Sequence, residues 1–199
     1  MAERLKLKAG AKVPFPERLY EGYELVGEDQ MKANVSVDKI ADVMRDFIKA
    51  QKEPIFFFLE LPPQHPELAG RNVELYGDEP NEVYYMDGAR PDVAIGILDS
   101  VGTLLINDGL AAFGYGNHIN HDEIMFSKYN VTNVYSRDIG KYAALFEAHK
   151  IEKTERLVTA WETFSQDAPG SSTLYEYRGK TVYDIPKFFA KYGLYRAKR

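Results

Sequence analysis

The densest group of reactive side chains is Gly114-Tyr115-Gly116-Asn117-His118-Ile119-Asn120-His121-Asp122-Glu123. Two of the four histidines stand three residues apart here, beside two carboxylates, in a glycine-rich connection between strand-like segments. Imidazole and carboxylate oxygens are suitable ligands for zinc and other divalent ions. Histidine also titrates near neutral pH and can act as a general acid or base. One reading is therefore a metal-dependent hydrolase or related enzyme using His118, His121, Asp122 and Glu123, with His65 brought close by folding. The spacing matches no zinc motif, since there is no H-E-x-x-H helix and no second paired cluster. Asn, Gly and Asp also gather in hairpin loops for ordinary conformational reasons.

Other enzyme signatures are missing. No serine lies in G-x-S-x-G, and no Lys-Ser/Thr follows the glycines of Gly109 to Gly116, so neither a nucleophile elbow nor a phosphate-binding loop is present. The chain has no cysteine, which removes thiol nucleophiles, thiolate metal sites and disulfides together. No cofactor is implied. His149, at the expected end of a helix, is suited to capping through the helix dipole.

A second constellation is electrostatic. Glu74, Tyr76, Asp78, Glu79, Glu82, Tyr84 and Tyr85 fall within 12 residues. They lie in a stretch, Glu60–Asp87, with seven acidic residues against Arg71 alone. Carboxylates steer a basic partner, and tyrosine supplies rigid contact area at low entropic cost. Glu74, Tyr76, Asp78, Glu79, Glu82 and Tyr84 are accordingly the expected partner-binding residues of a non-enzymatic domain that recognises a basic protein. In size, acidity, missing cysteine and missing catalytic motifs, the chain is similar in outline to small bacterial immunity proteins, which block a toxin's active site. No residue motif carries that similarity. The basic ends also suit a homo-oligomer in which they meet the acidic face of a second copy.

The totals are consistent with this. The chain has 199 residues and a net charge of −5. Residues 1–18 contribute +3 and residues 187–199 contribute +5, so the body between them carries −13. An acidic body repels nucleic acid and anionic lipid, which argues against either as the main partner. The longest apolar run, Ile55 to Leu59, is far short of the ~20 residues that span a bilayer. The first residues hold no apolar stretch of signal-peptide length, so the cytoplasm is the expected compartment.

The elements that must position these residues follow from periodicity. Residues 1–18 read as a basic arm with Pro14 and Pro16, and residues 19–199 as one domain. Tyr23–Val26 suggests a short strand. Ser36 is placed to cap a helix whose apolar residues are Ile40, Val43, Met44, Phe47 and Ile48, a core-facing stripe. Ile55–Leu59 is continuously apolar, as in a central strand buried on both faces. Strands at Asn72–Tyr76 and Glu82–Met86 precede a helix opened by Pro91. Asn107-Asp108-Gly109 reads as a turn between apolar flanks, Leu104–Ile106 and Leu110–Phe113. Strand-forming residues continue from Glu123 to Ser136. Helices are expected from Asp138 and from Thr154, the latter presenting Leu157, Trp161 and Phe164. A hairpin over Thr173–Tyr183 and a C-terminal helix from Asp184 complete the chain. Strands in clusters argue for α+β: a single domain with a mainly antiparallel sheet packed by several helices.

Overall fold

The computed structural model describes residues 2–52, 54–64 and 80–198. The first half runs β1 (Ala11–Lys12), β2 (Gly22–Val26), β3 (Gln30–Asn34), α1 (Ile40–Lys49), β4 (Ile55–Leu61), β5 (Glu82–Ala89) and α2 (Pro91–Asn107). The second half runs β6 (Ala112–Asn117), β7 (Asp122–Phe126), β8 (Val131–Tyr135), α3 (Ile139–Ala148), β9 (Ser171–Ser172), α4 (Ile185–Phe189) and β10 (Tyr195–Arg196). Eight strands form one sheet in the order β10-β5-β4-β6-β7-β8-β3-β2, and β1 pairs with β9 in a small second sheet. Every ladder is antiparallel. The fold is the α+β single domain that the clustered strands imply. Among the described residues no helix is long and apolar enough to cross a membrane.

Alternation along the strands divides the sheet into two faces. Phe57 and Leu59 of β4, Phe113 and Tyr115 of β6, and Ile124 and Phe126 of β7 join the main core. The α1 stripe, Ile40, Val43, Met44, Phe47 and Ile48, is fully buried in the same cluster, as its spacing predicts. The other face of β4 carries Phe56 and Phe58, which are buried yet belong to neither core cluster. β4 is thus apolar on both faces and central, between β5 and β6.

The N-terminal stretch packs against this body. Leu5, Lys8 and Ala11 are buried. Asn130 fastens the stretch: its Oδ1 accepts the Lys8 N–H at 2.9 Å, while its Nδ2 donates to the Lys6 and Val35 carbonyls at 3.1 and 2.9 Å. Tyr129 and Asn130 adopt φ of 56° and 64°, a left-handed pair that divides β7 from β8.

The apolar flank Leu104–Ile106 belongs to α2, which runs through it to Asn107, as the helical spacing of Leu104 and Leu105 predicts. Several expectations need correction. The turn at Asp108 joins helix to strand, because the Asp108 carboxylate accepts the Leu110 and Ala111 N–H groups, each at 2.8 Å. No α-helix starts near Thr154. The Thr154 N–H donates to the Tyr23 carbonyl and the Leu157 N–H to Glu24, leaving one 3-10 turn at Ala160–Thr163. The Thr173–Tyr183 hairpin reduces to a single bridge, Tyr177 to Lys180, and Ser171–Ser172 pairs with β1 instead. Ser36 does not cap α1, since its Oγ accepts the Lys6 N–H. β3 carried no recognised signal. The strand expected at Asn72–Tyr76 lies outside the described residues.

Candidate acidic aromatic site

The face of the sheet opposite the helices holds a continuous aromatic group. Phe56 and Phe58 stand two residues apart on β4, with ring centroids 6.2 Å apart. Their cross-strand partners on β6 are Gly116 and Gly114. A Cβ at Gly116 would enter the Phe56 ring, and one at Gly114 would enter the Phe58 ring. The absent side chains therefore let both rings settle over β6, the close approach that glycine within a strand permits. Tyr85 of β5 opposes Phe58, its ring 6.2 Å from Phe58 and 6.1 Å from Phe56. His118 stacks on Phe56 at 4.4 Å with 22° between planes.

Carboxylates surround these rings. Asp87 accepts the Tyr195 hydroxyl at 2.6 Å and lies 3.2 Å from His118 Nε2. Glu123 stands across from Gly116, and Glu60 lies two residues beyond Phe58. Burial raises the Glu123 carboxyl above the usual range, and the Glu60 charge adds to this, against a smaller opposing effect from His118. Burial likewise raises the Tyr85 phenol, reinforced by Glu123, Glu60 and Asp87. Neither the Glu60 nor the Glu123 carboxylate has a salt bridge or hydrogen bond among the described residues, and His118 acts on Glu123 only through its charge. Carboxylates beside aromatic rings are chemically suited to a cation, since acids supply charge and ring faces attract guanidinium or ammonium.

The residues singled out in the sequence are distributed differently. His118 and Glu123 fall on this face. Asp122 points to the helical side, where its carboxylate accepts Ser136 Oγ and the Tyr142 hydroxyl, each at 2.6 Å, with Lys141 Nζ at 3.4 Å. His121 is exposed in the turn at φ 61°, its N–H bonded to the Asn117 carbonyl. The β6–β7 hairpin thus sends His118 and Asp122 to opposite faces, and the expected metal cluster is not assembled. Among the described residues no three His, Asp or Glu side chains are grouped to hold a metal ion. His149 caps α3 by position, but its Nε2 lies 3.0 Å from Asp46.

Glu82 and Tyr84 sit on the helical side of β5 with internal partners. The Tyr84 hydroxyl donates to Glu82 at 2.6 Å, and Arg196 pairs with Glu82 at 2.9 Å. Glu74, Tyr76, Asp78, Glu79 and His65 lie outside the described residues. Sequence reasoning missed Phe56, Phe58, Glu60 and Asp87 as site residues. The available signal was Gly114-x-Gly116, two glycines at strand period matching Phe56-x-Phe58 on β4. No family model, curated protein or solved structure matches this chain.

Proposed function

We propose that this is a non-enzymatic binding domain whose acidic, aromatic sheet face receives basic side chains of a protein partner, as an immunity-protein-like neutraliser of a bacterial toxin would. The observation that supports it is that Glu60 and Glu123, on the same sheet face as Phe56, Phe58 and Tyr85, have carboxylates with no salt bridge among the described residues, while burial and the Glu60 charge raise the Glu123 carboxyl. A lysine or arginine entering there offsets the local negative charge and gains contact with the half-buried Tyr85 ring. Net charge of −5 adds long-range steering toward a cationic partner. The acidic tyrosine-rich residues Glu74, Tyr76, Asp78 and Glu79 precede β5 in the chain and extend the same chemistry.

The test uses an arginine-rich peptide as probe, titrated into the full chain at low and high salt. Glu60→Gln with Glu123→Gln should weaken binding by about tenfold or more at low salt, since each 1.4 kcal/mol is tenfold. It should also flatten the salt dependence, while Glu155→Gln, at an exposed position, leaves both unchanged. Equal affinity of the double variant and the parent would refute the assignment of this face.

A further inference from the structure

On the helical side, a groove of about 740 Å³ lies between α2 and the C-terminal segment. Its charge opposes that of the whole protein. Arg178, Lys180, Lys187 and Lys191 line it. The two acids beside them are already engaged: Asp99 with Arg45 at 2.8 Å, and Asp184 with the Thr181 N–H at 2.9 Å and Lys180 at 3.8 Å. Arg178, Lys187 and Lys191 have no carboxylate partner among the described residues.

Aromatic surface accompanies this charge. The Arg178 guanidinium lies 5.0 Å from the Tyr177 ring centroid, and Lys191 Nζ lies 5.8 Å from that of Phe188. Phe188 is 52% exposed and its ring, packed edge-on against Phe189 at 4.9 Å, borders the groove. Val101, Leu104 and Ile185 give the groove an apolar lining. The volume falls within the roughly 300–1,000 Å³ typical of small-ligand sites.

We infer that this groove binds an organic polyanion of the nucleoside-phosphate class, its planar group against Phe188 and its phosphates among Arg178, Lys187 and Lys191. Phosphate suits these side chains because guanidinium gives paired donors and ammonium a compact charge. The site is separate from the acidic sheet face and stands whether or not that face binds a partner.

Calorimetric titration of the full chain with ADP, adenosine, inorganic pyrophosphate and a short oligothymidine tests it. ADP should bind at least about tenfold tighter than adenosine or pyrophosphate, because it engages both halves of the groove. Arg178→Gln with Lys187→Gln should weaken ADP by about tenfold, with an unchanged circular dichroism melt. Phe188→Ser should weaken ADP but leave pyrophosphate unaffected, and Glu60→Gln with Glu123→Gln should alter neither. ADP binding no tighter than pyrophosphate would reduce the groove to a patch of charge and overturn the inference. Binding of oligothymidine without ADP, or of no probe at all, would overturn it equally.

Discussion

Alanine at Gly10 or Gly109 should destabilise the domain by about 3 kcal/mol or more, beyond the usual cost of adding a methylene to a core. The two glycines touch where three distant segments cross. The Gly10 N–H donates to the Asn107 carbonyl at 2.8 Å, the Thr173 N–H to the Gly10 carbonyl at 2.8 Å, and the Gly109 N–H to the Thr173 carbonyl at 3.0 Å. A Cβ on Gly10 would fall against the Gly109 backbone, and one on Gly109 against the Gly10 carbonyl. Backbone held by three hydrogen bonds cannot swing aside as a long side chain does. For a domain of this size the loss corresponds to a fall of roughly 6–12 °C in Tm. Gly96→Ala is the matched contrast. It lies within α2 with nothing within 4 Å of its added Cβ, so the better helix former should stabilise by about 0.4–1 kcal/mol. Chemical denaturation of the three variants reads all of this, and Gly109→Ala within about 0.5 kcal/mol of the parent would contradict the crossing.

Fold class was readable where one period dominates. Ile40 to Ile48 repeats as a helix should, and Ile55–Leu59 is apolar at every position, so α1 and β4 were recoverable from spacing alone. β3 was not, because in Gln30-Met31-Lys32-Ala33-Asn34 only two apolar residues carry the alternation; pairing with β2 and β8 holds it, and Met31 and Ala33 are buried in the main core. Trp161 and Phe164 suggested a helix for a local reason. Both rings pack edge-on against Tyr129, at 4.8 and 5.0 Å, and a spacing of three serves a 3-10 turn as well as a helix.

The site was less readable than the fold. His118, His121, Asp122 and Glu123 are neighbours along the chain, yet a hairpin assigns alternate residues to opposite faces. Which of them share a face depends on where β6 ends and β7 begins. Asn117 opposite Asp122 sets that register. Glu60 and Glu123 are 63 positions apart in sequence and come to one face of the sheet only through the neighbouring strands β4, β6 and β7, with their β6 partners Ala112 and Gly116 four residues apart. No linear spacing could report that shared face.

Stability should rise with pH across the range where most proteins show a plateau, and Lys8 is the cause. Lys8 is 1% exposed, with its Nζ donating to the Ser127 carbonyl at 3.0 Å and lying 4.8 Å from the Phe126 ring centroid. Burial lowers its pKa from 10.5 to about 7, with Asp108 acting in the opposite direction. The sign follows from proton counts in the two states. Below pH 7 folded and unfolded chains both hold the proton, so this group adds no pH dependence. Between about 7 and 10.5 the unfolded chain retains a proton that the folded chain has released. Stability therefore increases with pH through that window, by up to about 1.4 kcal/mol per pH unit and roughly 4–5 kcal/mol in all. Lys8→Met keeps the apolar stem and removes the titration. The variant should exceed the parent in stability at pH 6, and the difference should shrink steadily as pH rises to 9, because the parent sheds its buried charge. Denaturation midpoints of both proteins at half-unit pH intervals decide it. Curves that run parallel from pH 6 to 9 would mean that Lys8 keeps its proton in the fold and that its charge is held by the Ser127 carbonyl and the Phe126 ring.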